Sequence, residues 1–167
     1  MGLDNIPRNY PCKTKGTAVM APRLNRDGEQ IVDPDTNEPM TVIDCQATAA
    51  CGGCPWKNAH VRAGEPGGAV YGMLGTDCWY RGKYGNYLLE EIGVYDETEA
   101  ITFYGDNIDA TEKSVSACIR TADAISDALN DEPEIFADGE NITEQLRYAE
   151  FWLRWVAEEA DGSVCWY

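Results

Sequence analysis

A Cys-x-x-Cys knuckle, Cys51-Gly52-Gly53-Cys54, carries the strongest chemical signal in this sequence. Two thiolates at that spacing reach one metal ion, and glycines between them let backbone N–H groups approach the sulfurs. Cys45 stands six residues before the knuckle, and Cys12 follows Tyr10-Pro11 far upstream. A hairpin leaving Cys12 and returning to Cys45 would bring those two together. Cys12, Cys45, Cys51 and Cys54 are therefore the expected ligand set, four thiolates at about 2.3 Å from one Zn²⁺. Cys78, in Gly75-Thr76-Asp77-Cys78, is the rival fourth ligand, and His60, the one histidine, is a weaker rival. Four thiolates leave no open coordination position. The expected zinc is thus structural, a staple for a module too small to build its own core.

Other chemistries of the same residues stay open. Cys51 and Cys54 could form a redox dithiol, which needs a lowered thiolate pKa at a helix N-terminus; Pro55 at a first helical position would suit that. An iron–sulfur cluster uses the same ligands, but Cys-x5-Cys-x2-Cys is not a ferredoxin run. The thiols could also remain unligated or form one disulfide. Seven cysteines, an odd count, argue against a full disulfide framework. Cys118, on an apolar helical stripe, and Cys165, in an apolar terminal strand, read as small buried hydrophobes.

Catalytic motifs are absent. There is no HExxH, GxSxG or GxxxxGK[ST]. One histidine excludes chemistry built on paired histidines. Asp106, Asp109 and Glu112 read as a solvated acidic loop rather than a cation site. Asn141-Ile142-Thr143 is a formal glycosylation sequon whose expected role is helix capping. Trp79, Tyr80, Arg81 and Lys83 concentrate aromatics and cations in the stretch 78–87, and are the candidate partner-binding residues. The alternative is that these aromatics pack a helix onto the sheet.

The elements that must position these groups follow from periodicity. The first 16 residues, with Pro7, Pro11 and Gly16, read as irregular. Residues 16–20 and 40–43 read as two strands of a hairpin. Its long tip is subdivided by Asn25-Arg26-Asp27-Gly28 and Asp33-Pro34-Asp35-Thr36-Asn37-Glu38-Pro39. Residues 69–74 read as a short strand. Residues 80–92 read as a helix stopped by Gly93, and 101–106 as a strand. A helix over 114–129 carries the stripe Val115, Cys118, Ile119, Ala122, Ile125 and Leu129. Asn141 and Glu144 suggest a capping box for a last helix ending near Ala160. Asp161-Gly162 breaks it, and 163–167 reads as a closing strand. The expected fold class is α+β, a small mixed or antiparallel sheet packed by about three helices, with a Cys-rich N-terminal β-hairpin module.

Charge divides the chain near the loop Gly64-Glu65-Pro66-Gly67-Gly68. Residues 1–62 carry seven Lys+Arg and seven Asp+Glu; residues 63–167 carry six and 22, which is the entire net charge of −16. The expected organisation is a metal-stapled module over 1–62 and an acidic body over 63–167. At pI near 4.2 the chain has too little cation to release counterions from a nucleic-acid backbone or to dock on anionic lipid. Lysine is scarce, five against eight arginines. Self-repulsion on this scale is tolerable where multimolar salt shrinks the Debye length to roughly 3 Å. An acidic surface imitating nucleic acid, directed against host defence, is the functional alternative. No apolar run suits a transmembrane helix, and residues 1–7 lack a signal-peptide pattern, so the expected location is the cytoplasm or a virion.

Trp79-Tyr80-Arg81 leading to Asn86, the helix over 114–129, and the ending Asp161-Gly162-Ser163-Val164-Cys165-Trp166-Tyr167 resemble a loose group of small uncharacterised α+β proteins of bacteria, archaea and phages. That resemblance covers about 90 residues and implies no activity. The stretches YPCKTKGTAV and CGGCPW resemble the zinc-knuckle modules of haloarchaeal and halovirus hypothetical proteins. Together these readings lead to an expected non-enzymatic, zinc-stabilised acidic protein acting by protein–protein contacts, a structural or accessory protein of a halophilic archaeon or its virus. A thiol–disulfide redox protein using Cys51 and Cys54 is the alternative.

Overall fold

The computed structural model describes residues 4–44, 47–48, 80–81, 85–103 and 112–166. Among these, the chain forms β1 (Asp4–Pro7), α1 (Pro11–Thr14), β2 (Met20–Pro22), β3 (Thr41–Ile43), β4 (Tyr80–Arg81) and α2 (Gly85–Glu91). It continues through β5 (Glu112–Lys113), α3 (Val115–Asp131), β6 (Phe136–Ala137), β7 (Glu140–Asn141), α4 (Thr143–Glu159) and β8 (Ser163–Trp166). The fold is mixed α+β with small antiparallel sheets.

The two long helices make the core. Ser114 caps α3, its Oγ accepting from Ala117 N at 3.3 Å, a type of bond worth about 1 kcal/mol to a helix. Ala117, Cys118, Ala122 and Ile125 of α3 are buried, at the spacing expected of one face. Ile119, on the expected stripe, is instead 41% exposed, because it flanks the seam that Cys118 and Ala122 occupy. From α4 come Leu146, Ala149, Trp152, Leu153 and Val156. Leu88 and Leu89 of α2, with Phe103, close the cluster; the Phe103 and Trp152 rings lie 6.4 Å apart, tilted by 31°.

The entry to α4 differs from a capping box. Ile142 is the N-cap and makes no side-chain cap bond. Asn141 Oδ1 instead accepts from Thr143 N, two residues on, at 3.0 Å. Thr143 Oγ1 accepts from Ile135 N at 2.9 Å, tying the helix start to the β6–β7 hairpin. The turn of that hairpin is Asp138-Gly139, with φ of 49° and 82°, the left-handed pair that a two-residue hairpin requires.

A four-stranded antiparallel sheet, ordered β4-β1-β8-β5, joins distant parts of the chain. Its centre is β1 against β8, with Asn5 opposite Cys165 and Pro7 opposite Ser163. Residues 4–7 are thus a central strand rather than the irregular segment that Pro7 suggests. Pro7 falls at the strand's end, where a missing N–H costs least. Residues 80–81 belong to β4, pairing Tyr80 with Asn5 and Arg81 with Asp4, and the helix expected over 80–92 begins only at Gly85. Of the strand expected over 101–106, Ile101 forms a single bridge to Asp96, Thr102 and Phe103 bend away, and the remainder lies outside the described residues. The strand expected at 69–74 also lies outside them.

Gly162 makes the return from α4 to the sheet. Its N–H bonds Val156 O at 2.8 Å, closing the helix, while its O accepts from Arg8 N at 3.0 Å. At φ +93°, a Cβ there would sit 2.2 Å from Lys113 O. Only glycine lets α4 end this close to β5.

The β2–β3 hairpin forms a separate two-stranded sheet, with Met20 opposite Ile43 and Pro22 opposite Thr41; its first strand runs over Met20–Pro22 rather than the expected 16–20, since residues 16–19 form the exit from the α1 turn. Its tip is subdivided as the turn residues predict, by bridges Leu24–Gln30 and Val32–Pro39. Asn25 Oδ1 accepts from Asp27 N and Glu29 N, each at 2.9 Å. Asp33 Oδ1 accepts from Asp35 N at 2.9 Å and Thr36 N at 3.0 Å.

Candidate functional site

Of the expected zinc ligands, Cys12 alone lies among the described residues; Cys45, Cys51, Cys54 and the rival Cys78 lie outside them, as does His60. Cys12 is buried in the single turn of α1, where Pro11 takes the first helical position. Its carbonyl accepts from Thr17 N at 2.8 Å and Ala18 N at 3.0 Å. The next residue, Val19, accepts through its carbonyl from Asp44 N at 2.8 Å. Val19 N in turn donates to Thr48 Oγ1 at 3.0 Å, and Asp44 O accepts from Thr48 N at 2.8 Å. The hairpin therefore leaves the Cys12 turn and comes back, at Asp44 and Thr48, to Val19 just beyond it. No group of three or more His, Cys, Asp or Glu suited to a metal occurs among the described residues.

The candidate partner-binding residues divide similarly. Tyr80 and Arg81 form β4, at one end of the described sheet order. Trp79 and Lys83 lie outside the described residues. Of the acidic trio considered for a cation, Glu112 alone is described, and it is ion-paired to Arg8.

No family model matches this chain, and no curated protein or solved structure matches it.

A polar cluster that the sequence reading passes over sits on one face of the four-stranded sheet. Antiparallel partners point to the same side. Asn5 and Pro7 of β1, Ser163 and Cys165 of β8, and Lys113 of β5 therefore share a face, and all five are buried. Lys113, 1% exposed, donates from Nζ to Thr102 O at 2.6 Å and Ala100 O at 3.2 Å. Thr121 of α3 reaches the same carbonyls, its Oγ1 lying 3.2 Å from Thr102 O and 3.4 Å from Ala100 O. Asn86 Oδ1 accepts from Phe103 N at 2.6 Å, so α2 grips the other end of the same turn. A buried ammonium is costly unless hydrogen-bonded; these carbonyls make Lys113 a clasp between the sheet and residues 96–103. The sequence carried little signal for this face, because Asn5 and Ser163 put polar side chains beside Cys165 on it. Lys113 gave none, because a lysine on a two-residue strand looks like surface.

Ionisation near that turn is set locally. The Tyr95 phenol is pushed up to about 12, chiefly by its hydrogen bond to the Glu97 carboxylate and then by burial. Asp96 is held below the usual carboxylate value by the Thr98 hydroxyl and by the backbone N–H groups of Thr98 and Glu99. Among the described residues, no helix is long and apolar enough to cross a membrane.

Proposed function

We propose that this chain is a non-enzymatic, salt-adapted acidic protein that acts through protein contacts. Its N-terminal hairpin is stapled by structural zinc on Cys12, Cys45, Cys51 and Cys54, with Cys78 as the alternative ligand. A structural or accessory role in a halophilic archaeon or its virus fits that chemistry. The reading is supported by the hairpin's return at Asp44 and Thr48 to Val19, the residue after the Ala18 whose N–H bonds the Cys12 carbonyl, a connection between two expected ligand segments that bound metal would strengthen with its own folding energy. A second support is what the hairpin leaves uncovered. Val19, Met20, Leu24 and Val32 are all more than 40% exposed, a concentration of apolar side chains of the kind protein partners cover.

The test is metal content by mass spectrometry on protein purified in molar salt without chelator. About one zinc per chain is expected for a closed four-thiolate site, lost together with hairpin order in a Cys51→Ser/Cys54→Ser variant. Metal-free protein whose Cys51 and Cys54 cycle between dithiol and disulfide would overturn the staple and make thiol redox chemistry the function.

A further inference from the structure

The sheet face described above holds two polar side chains that no described residue satisfies. Asn5 and Ser163 are both 0% exposed. Among the described residues, neither amide atom of Asn5 nor the Ser163 hydroxyl has a hydrogen-bond partner. Burying such groups without partners is costly, and native structures rarely leave them so. The register places the two as diagonal neighbours across the central pair of strands, since Asn5 faces Cys165 and Ser163 faces Pro7. Diagonal neighbours on one face are about 7–8 Å apart at Cα. Both side chains therefore project from the same side of the β1–β8 pair.

We infer that Asn5 and Ser163 bind a single buried water molecule between β1 and β8. The chemistry of the two groups selects it. Asn5 offers a donor and an acceptor, and Ser163 offers both in one atom. A cation would satisfy Asn5 Oδ1 and Ser163 Oγ but oppose the Nδ2 protons, and it would lie beside the strand position of the Lys113 ammonium, the register partner of Ser163. An anion would satisfy Nδ2 and leave Oδ1 unmatched. Water donates and accepts at once, and buried waters typically make about three such bonds. Zero exposure of both residues keeps larger polar molecules out.

The site also fixes how β1 docks. A slip of one residue along β8 would turn Asn5 outward and bring Asp4 or Ile6 onto the inner face. The water-filled match between Asn5 and Ser163 exists in one register only, so it selects that register for a strand of four residues.

The experiment uses the full chain in molar salt. Water-selective NOE and ROE spectra of labelled protein should show a long-lived water at the Asn5 side-chain amide protons, lost in Ser163→Ala. Crystals of the unaltered chain grown in rubidium bromide should show density between the two residues with no anomalous signal. A rubidium or bromide peak there would overturn water in favour of an ion. Asn5 amide protons bonded to a protein carbonyl, or in fast exchange with solvent, would overturn the site itself. Neither reading of the unaltered chain depends on a variant folding.

Discussion

In the β2–β3 hairpin, order comes from short polar side chains turned back on their own backbone. Asn25 and Asp33 each collect two N–H groups at the tip, while Val19, Met20, Leu24 and Val32 stay exposed. In the body, order comes from apolar burial. Trp152, Leu146, Leu153 and Val156 of α4 meet Cys118, Ala122 and Ile125 of α3 with no exposure at all. The contrast follows charge as well, since the first 62 residues are neutral and the remainder carries −16. A packed apolar interior tolerates a repelling surface as long as salt screens it. A hairpin without such an interior needs local bonds, a staple or a partner. The two regions should therefore fail under different insults.

Removing the largest buried ring separates them most. Trp152→Ala should lower the stability of the body by about 3–5 kcal/mol. In a denaturant melt followed by NMR, helix signals should disappear early while the Leu24–Gln30 and Val32–Pro39 turns keep their shifts below the transition. Simultaneous early loss of both would mean the hairpin depends on the body for its order.

Gly162→Ala should act next in size, at the junction. The left-handed φ and the encounter with Lys113 O together suggest a loss on the order of 2–3 kcal/mol. Amide exchange should quicken along β5 and β8 more than in the middle of α4. Unchanged exchange at Lys113 and Val164 would show that the backbone there yields cheaply.

Acid should give the smallest effect, and a shared one. Asp33 in the hairpin is held below its ordinary value of 3.8, first by the Thr36 N–H and then by that of Asp35. Asp96 in the body is lowered from the same value by the Thr98 hydroxyl, the Thr98 N–H and the Glu99 N–H. Because both folded values are depressed, each turn keeps its full support above pH 3.8 and loses it as pH falls through the lowered value. Carboxyl NMR titration should place both midpoints below 3.8. A midpoint at or above that value in either turn would remove the carboxylate from its support.

The same contrast explains what the sequence disclosed. The helices over 115–131 and 143–159 were legible because a one-sided apolar stripe has few alternative uses. The hairpin with its divided tip was legible because Asn25-Arg26-Asp27-Gly28 and Asp33-Pro34-Asp35 are turn chemistry that acts within a few residues. The sheet was not. Its strands β1, β4 and β5 have four, two and two residues, too short for alternation, and their partners lie far away in the chain. Tyr80 and Arg81 fit a helical period as well as a strand, and pairing with Asn5 and Asp4 decided between them. The Asp138-Gly139 hairpin did carry its signal, hidden between two stronger helices. For the candidate site, the hairpin between Cys12 and Asp44 was readable from its turn residues. Asn5, Lys113 and Ser163 were not, since polar residues on an inner face contradict the pattern by which inner faces are found.

The ladder between β1 and β8 also bears on the order in which the molecule assembles. Asp4 is paired with Trp166, so β1 and its central neighbour are drawn from widely separated parts of the chain. Closing so long a loop is entropically slow, whereas α3 and α4 are joined by a short connection and can meet at once. Until β8 docks, β1 carries Asn5 and Ile6 without its principal partner. Pulse-labelled hydrogen exchange during refolding should protect the amides of Ile125 and Leu153 before those of Asn5 and Cys165. Simultaneous protection would mean that the sheet and the helix pair condense as one unit.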